Sequence, residues 1–269
     1  MKRLIIALIA IMLFIVPISA IKSDDGFNKV KQQVLDEYME LKEFREDLKL
    51  NPESAMEMIN LIARNRYNYY DYVVQGSKYT KKSKACNNRV RMFKQIKDYY
   101  CRPASLLTSL YYSGDEDNVK GKNPSEKQET LAKEMDTSAD SETMVYVMRD
   151  TLNDYTDTKW VYMTRPSYRD LHNFITESLS LGHAPIIHAL KEKLPYYKSE
   201  KSGGHYISII YYNEQVPTAN LGIKIMDNNS EQDGKYYGYH FISFDTLLDI
   251  LNTTDSNGNS RYIIGATRK

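Results

Sequence analysis

Cysteine is scarce in this sequence: two residues, Cys86 and Cys101, in a chain of 269. That scarcity excludes a small scaffold stapled by several disulfides. Net charge is lacking too. Lys and Arg number 36 against 35 Asp and Glu, which removes the electrostatic case for a nucleic-acid partner. There is no internal repeat and no long low-complexity tract, so solenoids and disordered tails are not indicated. Beyond the first twenty residues no apolar run reaches membrane-spanning length. What the chain does have is 42% hydrophobic residues, enough for a packed core, and 23 tyrosines, which by themselves name no ligand.

The opening stretch MKRLIIALIAIMLFIVPISA has a basic start at Lys2 and Arg3, an apolar run, and the small pair Ser19 and Ala20. Residues 1–20 therefore read as a secretory signal, cleaved after Ala20. The absence of cysteine near that position excludes a lipoprotein anchor. An uncleaved membrane anchor is the alternative, because the apolar run approaches the length of a span. A secreted or cell-surface location is expected. An oxidising compartment makes a Cys86–Cys101 bridge one reading of the two cysteines.

Residues 21–90 read as an N-terminal helical segment. Apolar positions at Phe27, Val30, Val34, Tyr38 and Leu41 predict one amphipathic helix to about Leu48. Asn51-Pro52-Glu53 then starts a second, with a capping side chain and a proline in the first turn. GSKYTKKSKACNN, which holds Cys86, reads as a basic exposed loop.

Cys101 has a different setting. Pro103 suits the first turn of a helix, and Leu106, Leu107, Leu110 and Tyr111 recur at helical spacing until Gly114. The cysteine thus sits at a helix N-terminus. Unpaired backbone amides and the positive end of the dipole there stabilise a thiolate. A nucleophile of that kind needs a base. His205 follows Gly203 and Gly204 and opens HYISIIYY, a strand-like run; LGIKIMDNN follows as a second one. Paired as an antiparallel hairpin, they bring His205 next to Asp227 or Asn228, and a one-residue slip in register exchanges the two. Either side chain would orient the imidazole and leave its other nitrogen for the thiol. The remaining histidines are weaker candidates. His183 and His188 flank a buried-strand pattern, His172 lies in a helical segment, and His240 alternates with aromatics. None of these spacings matches a metal motif, so neither metal nor cofactor is expected.

These features, in this order, resemble the papain-like cysteine peptidases, most closely the bacteriocin-leader-processing (double-glycine) peptidase-like family and its stand-alone secreted relatives. The resemblance rests on Gln95, on Tyr100-Cys101-Arg102-Pro103-Ala104, then LGHAPII, GGHYISII and IKIMDNN. It runs from about Gln95 to Ile264. It implies an α+β fold over residues 91–269, with a helical lobe carrying the nucleophile helix and an antiparallel β-sheet lobe carrying His and Asp. It further implies Cys101 as nucleophile, His205 as general base and acid, and Asp227 as the residue orienting His205. Gln95 would join the Cys101 backbone amide in holding the oxyanion. A bacterial, exported, monomeric hydrolase acting on a peptide or protein is expected, its membrane association limited to an uncleaved signal. Two positions depart from the pattern: Arg102 replaces a glycine, and Asn228 stands where a proline is common. An inactive peptide-binding relative, and a cell-wall hydrolase or acyltransferase with the same thiol chemistry, are the alternatives.

Overall fold

Sequence periodicity becomes a set of helices and one sheet in the computed structural model, which describes residues 24–74, 91–139, 143–197, 203–212, 222–229, 236–256 and 258–268. The signal segment and Cys86 lie outside these residues. The chain divides into two compact units, Met1–Tyr79 and Thr80–Lys269.

The first unit holds α1 (Asp24–Met39), α2 (Lys42–Leu50) and α3 (Pro52–Val74). The single helix expected over 27–48 is two. The chain breaks where Leu41 adopts an extended conformation, and Arg45 takes the Met39 carbonyl freed at the end of α1, with Nη1 2.6 Å away. Leu41 is buried at the break, and Tyr38 and Phe44 on either side of it meet edge to face at 5.5 Å. Burial of these three side chains thus favours the bend over a continuous helix. The helix expected from Asn51 onward starts at Pro52.

In the second unit the described residues 91–100 form a loop and a turn that lead into α4 (Cys101–Ser113). Then follow α5 (Pro124–Glu134), α6 (Val145–Tyr155), β1 (Lys159–Thr164), α7 (Tyr168–Ser180), β2 (Ile186–Leu190), β3 (Gly204–Tyr212), β4 (Ile223–Asp227), β5 (Gly238–Ile242), α8 (Phe244–Asn252) and β6 (Tyr262–Thr267). The six strands form one sheet in the order β1-β6-β2-β3-β4-β5, and every neighbouring pair is antiparallel. The fold is α+β, as expected. β1, β6 and α8 were not foreseen. They close the sheet on its β2 side and supply buried Trp160, Tyr162, Leu247, Ile263 and Ile264 to the core.

Helix α4 positions the site. Gly114 ends it in a left-handed conformation (φ 91°), which glycine adopts without cost. The helix is buried from Pro103 through Leu110, so it is enclosed and not an amphipathic surface element. One buried stripe is nonetheless polar. Ser105 Oγ donates to the Tyr206 carbonyl (2.8 Å), Ser109 Oγ to the Ala184 carbonyl (2.7 Å), and the Tyr112 hydroxyl to the Ile210 carbonyl (3.3 Å). Ser105 to Tyr112 spans about 10 Å of helix at 1.5 Å per residue. Tyr206 to Ile210 spans about 13 Å of strand. The two elements therefore run side by side in the same direction, and the start of α4 meets the start of β3.

Candidate active site

That alignment brings Cys101, the first residue of α4, to His205, the second residue of β3. Cys101 is a free cysteine and 7% exposed, while the Cys86 of the expected bridge lies outside the described residues. The Cys101 thiol is hydrogen-bonded to the His205 side chain and receives the backbone N–H of Tyr206. On its far side His205 places Nε2 2.7 Å from Asp227 Oδ1. Asp227 is the last residue of β4, and the antiparallel pairing Ser208↔Met226 and Ile209↔Ile225 sets the end of β4 beside the start of β3. Of the two residues that the sequence left open, Asp227 is the one on the imidazole. With Nε2 committed to the carboxylate, Nδ1 is the nitrogen left for the sulfur.

The electrostatics follow from burial opposed by pairing. Burial alone pushes the Cys101 thiol up, but the hydrogen bond and charge of His205, the nearby Arg102 cation and the Tyr206 amide together hold it below its ordinary value. Burial likewise disfavours a charged His205, yet the Asp227 charge and hydrogen bond, reinforced by Cys101, raise it to about 10. Asp227 is fully buried, which would favour its neutral form; His205, the Asn229 amide and Tyr196 outweigh that and keep it below the usual carboxylate range. The thiol is lowered and the imidazole raised, the two directions that favour a thiolate and imidazolium pair.

Asp227 is fully satisfied as an acceptor. Oδ1 takes His205 Nε2 and the Asn229 N–H (2.8 Å); Oδ2 takes the hydroxyls of Tyr196 and Tyr197, each at 3.0 Å. Tyr196 stacks on His240 (3.6 Å between centroids, 7° between planes) and Tyr197 on Tyr236 (4.1 Å, 12°). These two tyrosines were missed by sequence reasoning. In a chain with 23 tyrosines, the pair after Pro195 carries no distinguishing signal.

Gln95 is also buried, in the loop leading into α4. Its backbone N–H donates to the Asn228 carbonyl (2.9 Å) and its side-chain Nε2 to the Asp98 carbonyl (2.9 Å), which leaves the second amide hydrogen for another acceptor. Buried Gln128 of α5 brackets it: Nε2 donates to the Lys94 carbonyl (3.0 Å) and Oε1 accepts from Ile96 N–H (3.3 Å). Lys97, Tyr100 and Glu129 tie the same loop to α5, with Tyr100 donating to Glu129 at 2.7 Å and Lys97 paired to it at 2.8 Å.

Arg102, the first departure from the family pattern, lays its guanidinium over the Tyr206 ring, 5.1 Å from the centroid. His188 stacks on the same ring, 4.4 Å between centroids with 1° between planes. His188 explains Gly204 as well. A Cβ there would overlap His188 Nε2, so the glycine before His205 makes room for a side chain of this protein. Burial and the nearby Arg261 and Arg102 charges hold His188 well below the ordinary histidine value. His183 pairs with the Thr158 hydroxyl at 2.7 Å and His172 with that of Tyr212 at 2.8 Å.

No curated protein matches this sequence. A family model matches residues 87–247, more than half of the chain and a span that includes Gln95, Cys101, His205 and Asp227. On that match, which agrees with the antiparallel sheet and with the helix leading from Cys101, the chain belongs to the Peptidase_C39 like family, a family of papain-like cysteine peptidases and their relatives.

Proposed function

We propose that this protein is an exported cysteine peptidase that cleaves a peptide or related amide bond by acyl transfer through Cys101, His205 and Asp227. The observation that carries this reading is the buried chain of contacts from the Cys101 thiol through His205 to Asp227, at the head of α4. In the proposed reaction the Cys101 thiolate attacks the scissile carbonyl. Negative charge then builds on the carbonyl oxygen. The Cys101 backbone N–H and the free hydrogen of Gln95 Nε2 are the donors offered to it, and one such donor is worth about 3 kcal/mol of barrier. The His205 imidazolium gives its proton to the leaving amine, and a thioester to Cys101 remains. His205, now neutral, takes a proton from water as the water attacks the thioester; the acid leaves and the thiolate returns. Asp227 orients the ring throughout and stabilises its charged form. The signal-like residues 1–20 support export, so peptides or wall peptides outside the cytoplasm are the proposed substrates.

The test is product analysis by mass spectrometry after incubation with mixed peptides and with peptidoglycan fragments, beside Cys101→Ala and His205→Ala. Amide cleavage by the parent and by neither variant supports the reading, and the product identity separates peptidase from wall hydrolase. Absence of any product, together with a Cys101 that alkylates only near the free-thiol pKa of roughly 8.5, overturns it in favour of a binding role.

A further inference from the structure

Asn228, the second departure from the family pattern, is 2% exposed and has its amide in the middle of the site's framework. Its Nδ2 lies 2.8 Å from Ser105 Oγ, 3.1 Å from the Cys101 carbonyl and 3.3 Å from the Tyr206 carbonyl. Its own backbone carbonyl accepts the Gln95 N–H at 2.9 Å. Its backbone is covalently joined to Asp227. One residue therefore touches the backbone of the proposed nucleophile, the strand carrying the imidazole and the loop holding the proposed oxyanion donor, and it is the chain neighbour of the residue that orients the imidazole.

The place it occupies explains why a side-chain amide is needed. The β3–β4 ladder runs to Ser208↔Met226, and the same register continued places Asn228 opposite Tyr206. The Tyr206 carbonyl points there and receives Ser105 Oγ and Asn228 Nδ2 in place of a backbone N–H. A proline at this position has no side-chain donor to offer to that carbonyl or to α4.

We propose that Asn228 is the positioning residue that fixes the head of α4, and with it the Cys101 sulfur, against His205. The inference rests on the reading of Cys101 and His205 as a reacting pair. Its physical content is that the two N–H groups of one amide set the distance between two elements that the chain joins only through a long connection. Without them the head of α4 is still held to β3 by the Ser105 hydroxyl, by Ser208 Oγ on the Ser105 carbonyl (3.4 Å), by Arg102 over the Tyr206 ring and by the Tyr206 N–H on the sulfur, none of which reaches the Cys101 carbonyl. The thiol–imidazole contact then loosens while the core under Leu106, Leu107 and Leu110 stays packed.

The experiment is the pH dependence of Cys101 alkylation by limiting iodoacetamide, with the full chain as parent, Asn228→Ala and Asn228→Leu. Asn228→Leu keeps the volume and removes the donors, where an aspartate would bring either an O–H donor or a new charge. In the folded fraction of either variant, checked by near-ultraviolet circular dichroism and thermal unfolding, the rate at pH 6 is expected to fall at least about tenfold. The acid limb moves up by about one pH unit, the tenfold being one unit of thiolate fraction. A folded Asn228→Leu that alkylates as the parent does across the range overturns the inference, since volume is then sufficient. Should one of Asn228→Ala and Asn228→Leu not fold, the other decides. An ordinary thiol profile in the parent itself instead overturns the reading of the site, so the two failures are distinguishable.

Discussion

Replacing Asp227 by asparagine isolates what its charge does. The side chain keeps its volume, and the polar contacts have a way to persist. Asn Oδ1 can still accept from His205 Nε2 and from the Asn229 N–H, while the new amide faces the Tyr196 and Tyr197 hydroxyls, which rotate from donor to acceptor. What disappears is the anion beside a buried imidazole. His205 stands raised from 6.5 to about 10. At about 1.4 kcal/mol per unit, that is about 5 kcal/mol in favour of the imidazolium over the neutral ring. Burial opposes this preference; among its sources Asp227 comes before Cys101. Asp227→Asn is therefore expected to lower the alkaline limb of Cys101 reactivity by at least about two units. The acid limb moves the other way, because the thiolate loses part of its cationic partner, so the window of the ion pair narrows from both sides. Alkylation rates from pH 4 to 11, with thermal unfolding at each pH, measure both limbs. Limbs that stay within about 0.3 units of the parent in a folded variant would refute the assignment of the imidazolium to Asp227.

Three further outcomes follow from the same contacts. Asp227 has a lowered folded value, so its contribution to stability is present above about pH 4 and is lost as pH falls through that folded value; acid unfolding followed by circular dichroism should be markedly less pH-dependent in Asp227→Asn. Tyr197→Phe removes one of the two hydroxyls on Asp227 Oδ2 and the partner of Asn229 Nδ2, so denaturant unfolding should report a loss of about 1 to 3 kcal/mol. Gly204→Ala drives a methyl group into His188, and a cost of about 1 to 3 kcal/mol is expected in the same assay. Gly203→Ala, which meets nothing within 4 Å, is its neutral control.

The helix that starts at Cys101 was legible because its signals are local. Pro103 in the first turn and Gly114 at the end bracket an apolar repeat, and the structure places α4 between Cys101 and Gly114. The His205 and Asp227 strands were legible for the same reason, as runs of β-branched and aromatic residues. Their register was not. Whether Asp227 or Asn228 meets His205 depends on cross-strand pairing and on the packing of α4, neither of which leaves a trace in a single run of residues. The serine stripe on α4 was hidden as well, since Ser105 and Ser109 inside a helix usually read as solvent-facing positions, whereas here they cap carbonyls of the sheet. The bend at Leu41 escaped periodicity because the apolar spacing continues across it. Tyr196, Tyr197 and Gln128 act through partners that lie some 30 residues or more away in the chain, beyond the reach of any local pattern.

The side-by-side course of α4 and β3 has a consequence for the chain as it is made. Cys101 leaves the ribosome long before His205, Asp227 and Asn228, and the contact from Asn228 to the Cys101 carbonyl closes a separation of 127 residues. Such contacts raise contact order and form late. A nascent chain that ends before β4 holds α4 and His205 without Asp227 and Asn228, so the contacts around Cys101 are incomplete. The surroundings of the thiol are therefore finished only when the sheet has been laid down, and the order of synthesis sets when that happens.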